Sequence, residues 1–157
     1  MTKHLTILTT FLFFTSLSFG QRVSETDSLL IMAKVKSVFS VIKNPVFNEF
    51  EKLSTEKIYC TICFGKPNFT NAPYILERRK FYDKHLKKLS QSNNFNRAIK
   101  STDIILIKGN DHRNDITVLF TIYQRGELAL EHEGGQLGLY FKKVSNEYKF
   151  AGIEIIP

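Results

Sequence analysis

The chain has 157 residues, 43% of them hydrophobic and 13% aromatic, with 14 Phe, 6 Tyr and no Trp. That length holds one domain with a real core, and that composition excludes a disordered chain. The formal net charge of +7 favours acidic partners or surfaces through long-range attraction, although a solvated basic surface accounts for it more simply.

Met1 to Gly20 reads as a secretory signal. Lys3 and His4 give a short basic start, Leu5 to Phe19 is apolar, and Ser18-Phe19-Gly20 offers small residues for cleavage before Gln21. The apolar run is shorter than the roughly 20 residues a membrane span needs. The first cysteine is Cys60, so no lipid anchor follows it. The expected product is an exported, secreted or periplasmic, single domain over residues 21–157, in a compartment that permits disulfides.

Ser24-Glu25-Thr26-Asp27 has the form of a helix start, with a hydroxyl cap and a carboxylate three residues on. Ile31, Val35, Val38 and Ile42 then recur on one helical face, and Asn44-Pro45 stops the helix. Val46 to Leu53 predicts a short second helix. Lys57 to Phe64 alternates as a strand, with Ile58, Cys60, Ile62 and Phe64 on one face and Tyr59, Thr61 and Cys63 on the other. Gly65-Lys66-Pro67-Asn68 is a turn signal, and Asn68-Phe69-Thr70 is a glycosylation sequon in a eukaryotic pathway. Pro73 to Leu89 predicts a long, strongly basic helix, with Ile75, Tyr82, Leu86 and Leu89 on one face and Phe81 and His85 beside it. Ser90 to Asn96 reads as a polar loop. Strands follow at Ile104–Lys108, Asp115–Tyr123, Leu137–Lys142 and Tyr148–Ile156, with a tight turn at Ser145-Asn146-Glu147. Gln124 to Gly135 fits either sheet or loop.

Helices early and antiparallel strands late predict an α+β fold: a curved antiparallel sheet of about five strands packed against the N-terminal helices and one long helix. This element order, closing on LGLYFKK and NEYKFAGIEI, resembles the nuclear-transport-factor-2-like superfamily of cystatin-like cones. The resemblance spans roughly Ser24 to Ile156 and implies a sheet wrapped around an internal pocket. Members include isomerases, dehydratases, protein-association domains and secreted proteins without known activity. A cystatin-like sheet around one helix would lack the helix at Pro73 to Leu89.

No catalytic motif stands out, so the residues point to binding of a small molecule or a protein partner rather than to catalysis. The alternative is an isomerase or dehydratase with a cone carboxylate or His as base. Tyr59 and Tyr82 could line a cone as rings with hydroxyl handles. Glu131-His132-Glu133 sets a His between carboxylates, which suits a base, although a polar hairpin end explains it more simply. Asp111-His112-Arg113-Asn114-Asp115 has the same two readings. Cys60 and Cys63 form a C-x-x-C pair. In a strand their Cα atoms lie about 10 Å apart on opposite faces, which favours two packed thiols; a disulfide requires a bent strand, and redox chemistry normally uses a helix start. Two cysteines do not close a zinc site, and neither metal nor cofactor is expected. The basic helix Arg78 to Lys88 carries no stacking aromatics, so nucleic acid is not expected as a partner. Leu119, Tyr123 and Tyr140 fall on the outer sheet face, which predicts a homodimer through that face.

Overall fold

A computed structural model describes residues 23–64, 74–111 and 114–157. The expected signal, the Gly65–Asn68 turn, the sequon, Pro73 and His112 lie outside the described residues.

The first helix, α1 (Glu25–Lys43), starts where its cap residue dictates. The Ser24 hydroxyl accepts the Asp27 N–H at 3.1 Å and donates to the Asp27 carboxylate at 2.7 Å. Ile31, Val35, Val38 and Ile42 are all buried, and the helix ends at Asn44, before Pro45. The short α2 (Phe47–Leu53) runs directly into β1 (Ser54–Cys60), where the buried Ser54 hydroxyl donates to the Phe50 carbonyl at 2.7 Å.

The long helix begins later than its sequence suggests. Ile75–Glu77 forms β2, an edge strand antiparallel to β1, instead of a first helical turn. Then α3 (Arg78–Phe81), a π-helical turn (Tyr82–Leu86) and α4 (Lys87–Ser90) follow without a break. Residues 93–96 are not loop: α5 (Asn93–Lys100) starts there, capped by the Ser92 hydroxyl, which accepts the Phe95 N–H at 3.2 Å. Phe95 and Ala98 bury its inner face.

The sheet has six strands in the order β2-β1-β6-β5-β4-β3. Its later part, β3 (Ile104–Asp111), β4 (Asn114–Tyr123), β5 (Gly135–Val144) and β6 (Glu147–Ile156), is an antiparallel meander, as the alternation predicts. Two points differ from expectation. The sheet has one strand more than about five, and β1 joins β6 in parallel. The helices between β1 and the meander form a crossover long enough to bring β1 in with the direction of β6. Ser145 and Asn146, at φ +46° and +72°, make the two-residue turn between Val144 and Glu147.

Bulges bend the strands. Register shifts lie between Thr121 and Tyr123 of β4, between Tyr140 and Phe141 of β5 where Ala151 is the extra residue on β6, and between Ser54 and Tyr59 of β1. The result is the curved, unclosed α+β cone that the resemblance implies. Its concave face meets the helices through Ile116, Val118, Phe120, Leu137, Leu139, Phe141, Phe150 and Ile153. Phe50 stacks on Phe81 with centroids 5.7 Å apart, and Phe39 packs on Phe95 and Phe120 at 5.3 and 5.2 Å, so aromatic pairs tie the helices to one another and α1 to the sheet.

Candidate functional site

Beside Cys60 a cavity of about 220 Å³ lies between the long helix and the sheet. Phe81, His85, Lys88 and Leu89 reach it from one face of the long helix. Cys60, Ile62 and Cys63 form the opposite wall, Ile155 of β6 lies at its sheet side, and Ser92 and Asn94 close it from the start of α5. The lining is mainly apolar, with two cationic or titratable groups and two neutral polar ones. Among the described residues, no carboxylate lines it.

The local cause is the cysteine pair. β1 stops at Cys60, and Thr61–Cys63 turns as a single 3-10 helix instead of continuing as strand to Phe64. The turn brings the two Cα atoms to 5.5 Å, and the sulfurs are bonded at 2.02 Å. The preference for packed thiols assumed a straight strand, with the Cα atoms about 10 Å apart; the 3-10 turn removes that objection. The last β1 pairing to β6 is Cys60 with Ile153, so among the described residues no strand lies beside residues 154–156 of β6 on that side. Ile155 of this stretch lines the cavity.

Burial holds the His85 imidazole below the usual histidine range, and the nearby Lys80, Lys84 and Lys88 charges add to the effect. The ring is neutral near pH 7 and offers either a donor or an acceptor nitrogen. On the α5 side, the Asn94 carboxamide oxygen accepts the Tyr123 hydroxyl at 2.9 Å, while Asn93 donates to that hydroxyl at 3.2 Å. Tyr123 therefore faces α5 and not the outer sheet surface; the bulge after Thr121 turns it there.

The structure does not bring Tyr59, Tyr82, Glu131 and His132 together. Tyr59 is on the outer sheet face, 5.5 Å from the Tyr140 ring and 6.1 Å from that of Tyr74. Tyr82 packs against Phe47 and Phe50 of α2, outside the cavity wall. Glu131 and His132 sit in the turns linking β4 and β5, with Glu131 exposed at φ +70°. His132 organises that loop. Its Nδ1 accepts the Gly134 N–H at 3.0 Å and its carbonyl accepts the Gly126 N–H at 2.7 Å. The segment 124–134 is turn and loop, which resolves the ambiguity there against a strand. His85 and Lys88 were legible in principle: the spacing Phe81, His85, Leu89 inserts a titratable ring into an apolar helical stripe.

A larger hollow, of about 820 Å³, lies between α1, α2 and β6, but it is shallow and open. Lys34, Lys52 and Lys149 there are engaged with Glu147 and Glu49 at 2.9 to 3.9 Å.

No family profile matches the chain, and no curated protein matches it. Solved structures of similar fold include a designed NTF2-like protein, a variant of Rd1NTF2_05 with five substitutions. It is 11% identical with a TM-score of 0.47, over 85% of this chain and 100% of that one. A DUF4783 family protein from Bacteroides ovatus is 14% identical with a TM-score of 0.40, over 76% of this chain and 90% of that one. Another from Bacteroides fragilis is 16% identical with a TM-score of 0.37, over 76% and 93%.

Proposed function

We propose that the chain is an exported, non-catalytic binding domain whose cavity holds a small amphipathic acid. The observation that carries this reading is the composition of the cavity wall. An aliphatic or aromatic body fits against the disulfide, Ile62, Phe81, Leu89 and Ile155, and an anionic head fits beside His85 and Lys88. The volume is below the roughly 300–1,000 Å³ of drug-sized pockets, so the ligand is small. Burying about six methylenes at about 0.8 kcal/mol each supplies about 5 kcal/mol, equivalent to a Kd on the order of 0.3 mM before the cost of association, so binding is expected at about millimolar Kd or weaker. An isomerase or dehydratase would need a base aimed into the cone. Among its described residues the wall offers His85 without a carboxylate to orient it, so binding is the better supported role. Export is supported by Lys3 and the apolar run Leu5 to Phe19. Among the described residues, no helix is long and apolar enough to cross a membrane. Mass spectrometry of exported material is expected to find a chain starting at Gln21.

The test is an NMR titration with octanoate, 1-octanol and octylammonium. Octanoate is expected to shift Ile62, Leu89 and Ile155 and to bind about tenfold more tightly than the other two. Leu89→Trp, which fills the cavity, is expected to abolish those shifts. Shifts confined to other surfaces, or none with any of the three, would remove the reading.

A homodimer through the outer sheet face has its own support. One transverse row crosses all six strands: Ile75, Tyr59, Gly152, Tyr140, Thr117 and Ile107. Ile75, Ile105 and Ile107 are 45–48% exposed on this face, and Leu119 packs over Gly138 beside them. Light scattering at high concentration is expected to give twice the chain mass, and Ile107→Lys to restore the single mass. A single mass for the unaltered chain would exclude the dimer.

A further inference from the structure

We infer that the Cys60–Cys63 disulfide is a redox-sensitive latch that holds residues 61–64 out of the sheet. Four observations converge on it. First, Ile58, Cys60, Ile62 and Phe64 alternate as a strand with Tyr59, Thr61 and Cys63, and the residue types favour extended chain. Second, that strand is incompatible with the bond. Extended residues three apart separate their Cα atoms by about 10 Å, while a disulfide tolerates less than about 7 Å and the observed separation is 5.5 Å. Third, an edge is waiting. The parallel register Tyr59 with Gly152 and Cys60 with Ile153 would continue to Thr61 with Glu154 and Ile62 with Ile155, beside a part of β6 that pairs with β5 on its other edge and, among the described residues, has no strand on this one. Fourth, the turn is paid for locally by an unmet polar group. The Thr61 hydroxyl oxygen is buried with no hydrogen-bond partner among the described residues. In an extended chain Thr61 would share the outer face of Tyr59 and reach water.

Reduction removes the constraint. A dithiol reductant attacks the sulfur of Cys63, which is half-buried, and the electron pair of the broken S–S bond passes to Cys60, which is fully buried. The second thiol of the reductant then attacks the mixed disulfide and closes to a cyclic disulfide. In sum, two electrons and two protons pass to the protein, leaving two thiols. β1 then extends along β6, Ile62 moves beside Ile155, and the cavity that both line narrows. The latch rests on this geometry; only its effect on a ligand rests on the proposed binding role.

The test is amide hydrogen exchange on the purified protein, oxidised and then reduced with dithiothreitol, which serves as the dithiol. Reduction is expected to slow exchange about tenfold within residues 61–64 and 154–156, with protection of β4 and β5 retained. Cys60→Ser/Cys63→Ser is expected to match the reduced protein without reductant. Unchanged or faster exchange at residues 61–64 would overturn the latch, because the bond would then only stabilise a turn. Loss of protection throughout β4 and β5 would overturn it as well, because no second ordered state would exist. Repeating the octanoate titration on both forms separates the two proposals: exchange reads the latch whether or not octanoate binds.

Discussion

The Tyr148 hydroxyl donates to the Asp27 carboxylate at 2.8 Å, joining the last strand to the first turn of α1 across 121 residues of sequence. The Ser24 hydroxyl, then that of Tyr148, holds the Asp27 carboxyl below the usual carboxylate range. Burial and the same carboxylate push the Tyr148 phenol up to about 12. The two shifts act at opposite ends of the pH scale. Asp27 is depressed in the fold, so its contribution is present above its unfolded value and is lost as pH falls through the folded one. Tyr148 is raised, so its contribution is complete below its unfolded value, near 10, and is lost as pH rises toward about 12. Tyr148→Phe is expected to lower the urea midpoint near neutral pH and to flatten the alkaline loss. An unchanged alkaline limb would assign that loss to other groups.

Gly152 of β6 lies close against Tyr59 of β1 on the outer face. A Cβ there would lie 2.6 Å from the Tyr59 carbonyl oxygen, 2.8 Å from the Tyr59 Cβ and 3.1 Å from the Tyr140 ring. The first of these is backbone in a paired strand and cannot rotate away. Gly152→Ala is expected to cost about 1–3 kcal/mol in urea denaturation. Gly138→Ala is the matched control. Its nearest neighbour is the Leu119 side chain at 3.4 Å, and its cost is expected to stay below about 1 kcal/mol. Equal losses at the two positions would mean that strand approach is not the determinant.

The same contrast explains which parts of the fold the sequence made legible. Ile31, Val35, Val38 and Ile42 form a helical stripe because one helix face is buried, and β4 to β6 alternate because one sheet face is buried. Those are local consequences of burial, so periodicity reports them. The parallel docking of β1 on β6 joins Cys60 to Ile153, and no local period encodes so distant a pairing. The cavity was hidden for a different reason. It exists where the alternation through Phe64 is broken by a bond between two residues that the alternation itself places on opposite faces. Asn93 to Asn96 was likewise obscured, because Ser-Asn-Asn is as good a turn as it is a helix start, and only the burial of Phe95 decides between them.

Arg97 fastens α5 to the end of β4. Its Nε donates to the Ile122 carbonyl, its terminal nitrogen pairs with Glu127, and its guanidinium lies 4.4 Å from the centre of the Tyr123 ring. A lysine can replace the charge but not the planar fork or the stacking. Arg97→Lys is therefore expected to lose about 1–2 kcal/mol in urea denaturation. Glu127→Gln is expected to lose less, since its partner keeps the carbonyl and the ring. If Arg97→Lys is neutral, charge alone holds the helix and the fork contributes nothing.

His85 gives the cavity a pH signature that a merely packed ring would lack. Its pKa lies below the ordinary 6.5, through burial first and then through Lys80, Lys84 and Lys88. For a depressed histidine, the stability contribution is present above the unfolded value and is lost as pH falls through the folded one. His85→Gln is expected to remove that part of the acid limb in urea denaturation. An anion bound beside the ring opposes the lysine charges and raises its pKa, so binding takes up protons. Octanoate affinity is then expected to rise about threefold to tenfold between about pH 7.5 and pH 5.5, and to stay flat over that range in His85→Gln. A flat profile in the unaltered protein would place the anionic head away from His85, and Lys88 would then be the only cation among the described residues of the wall left to receive it.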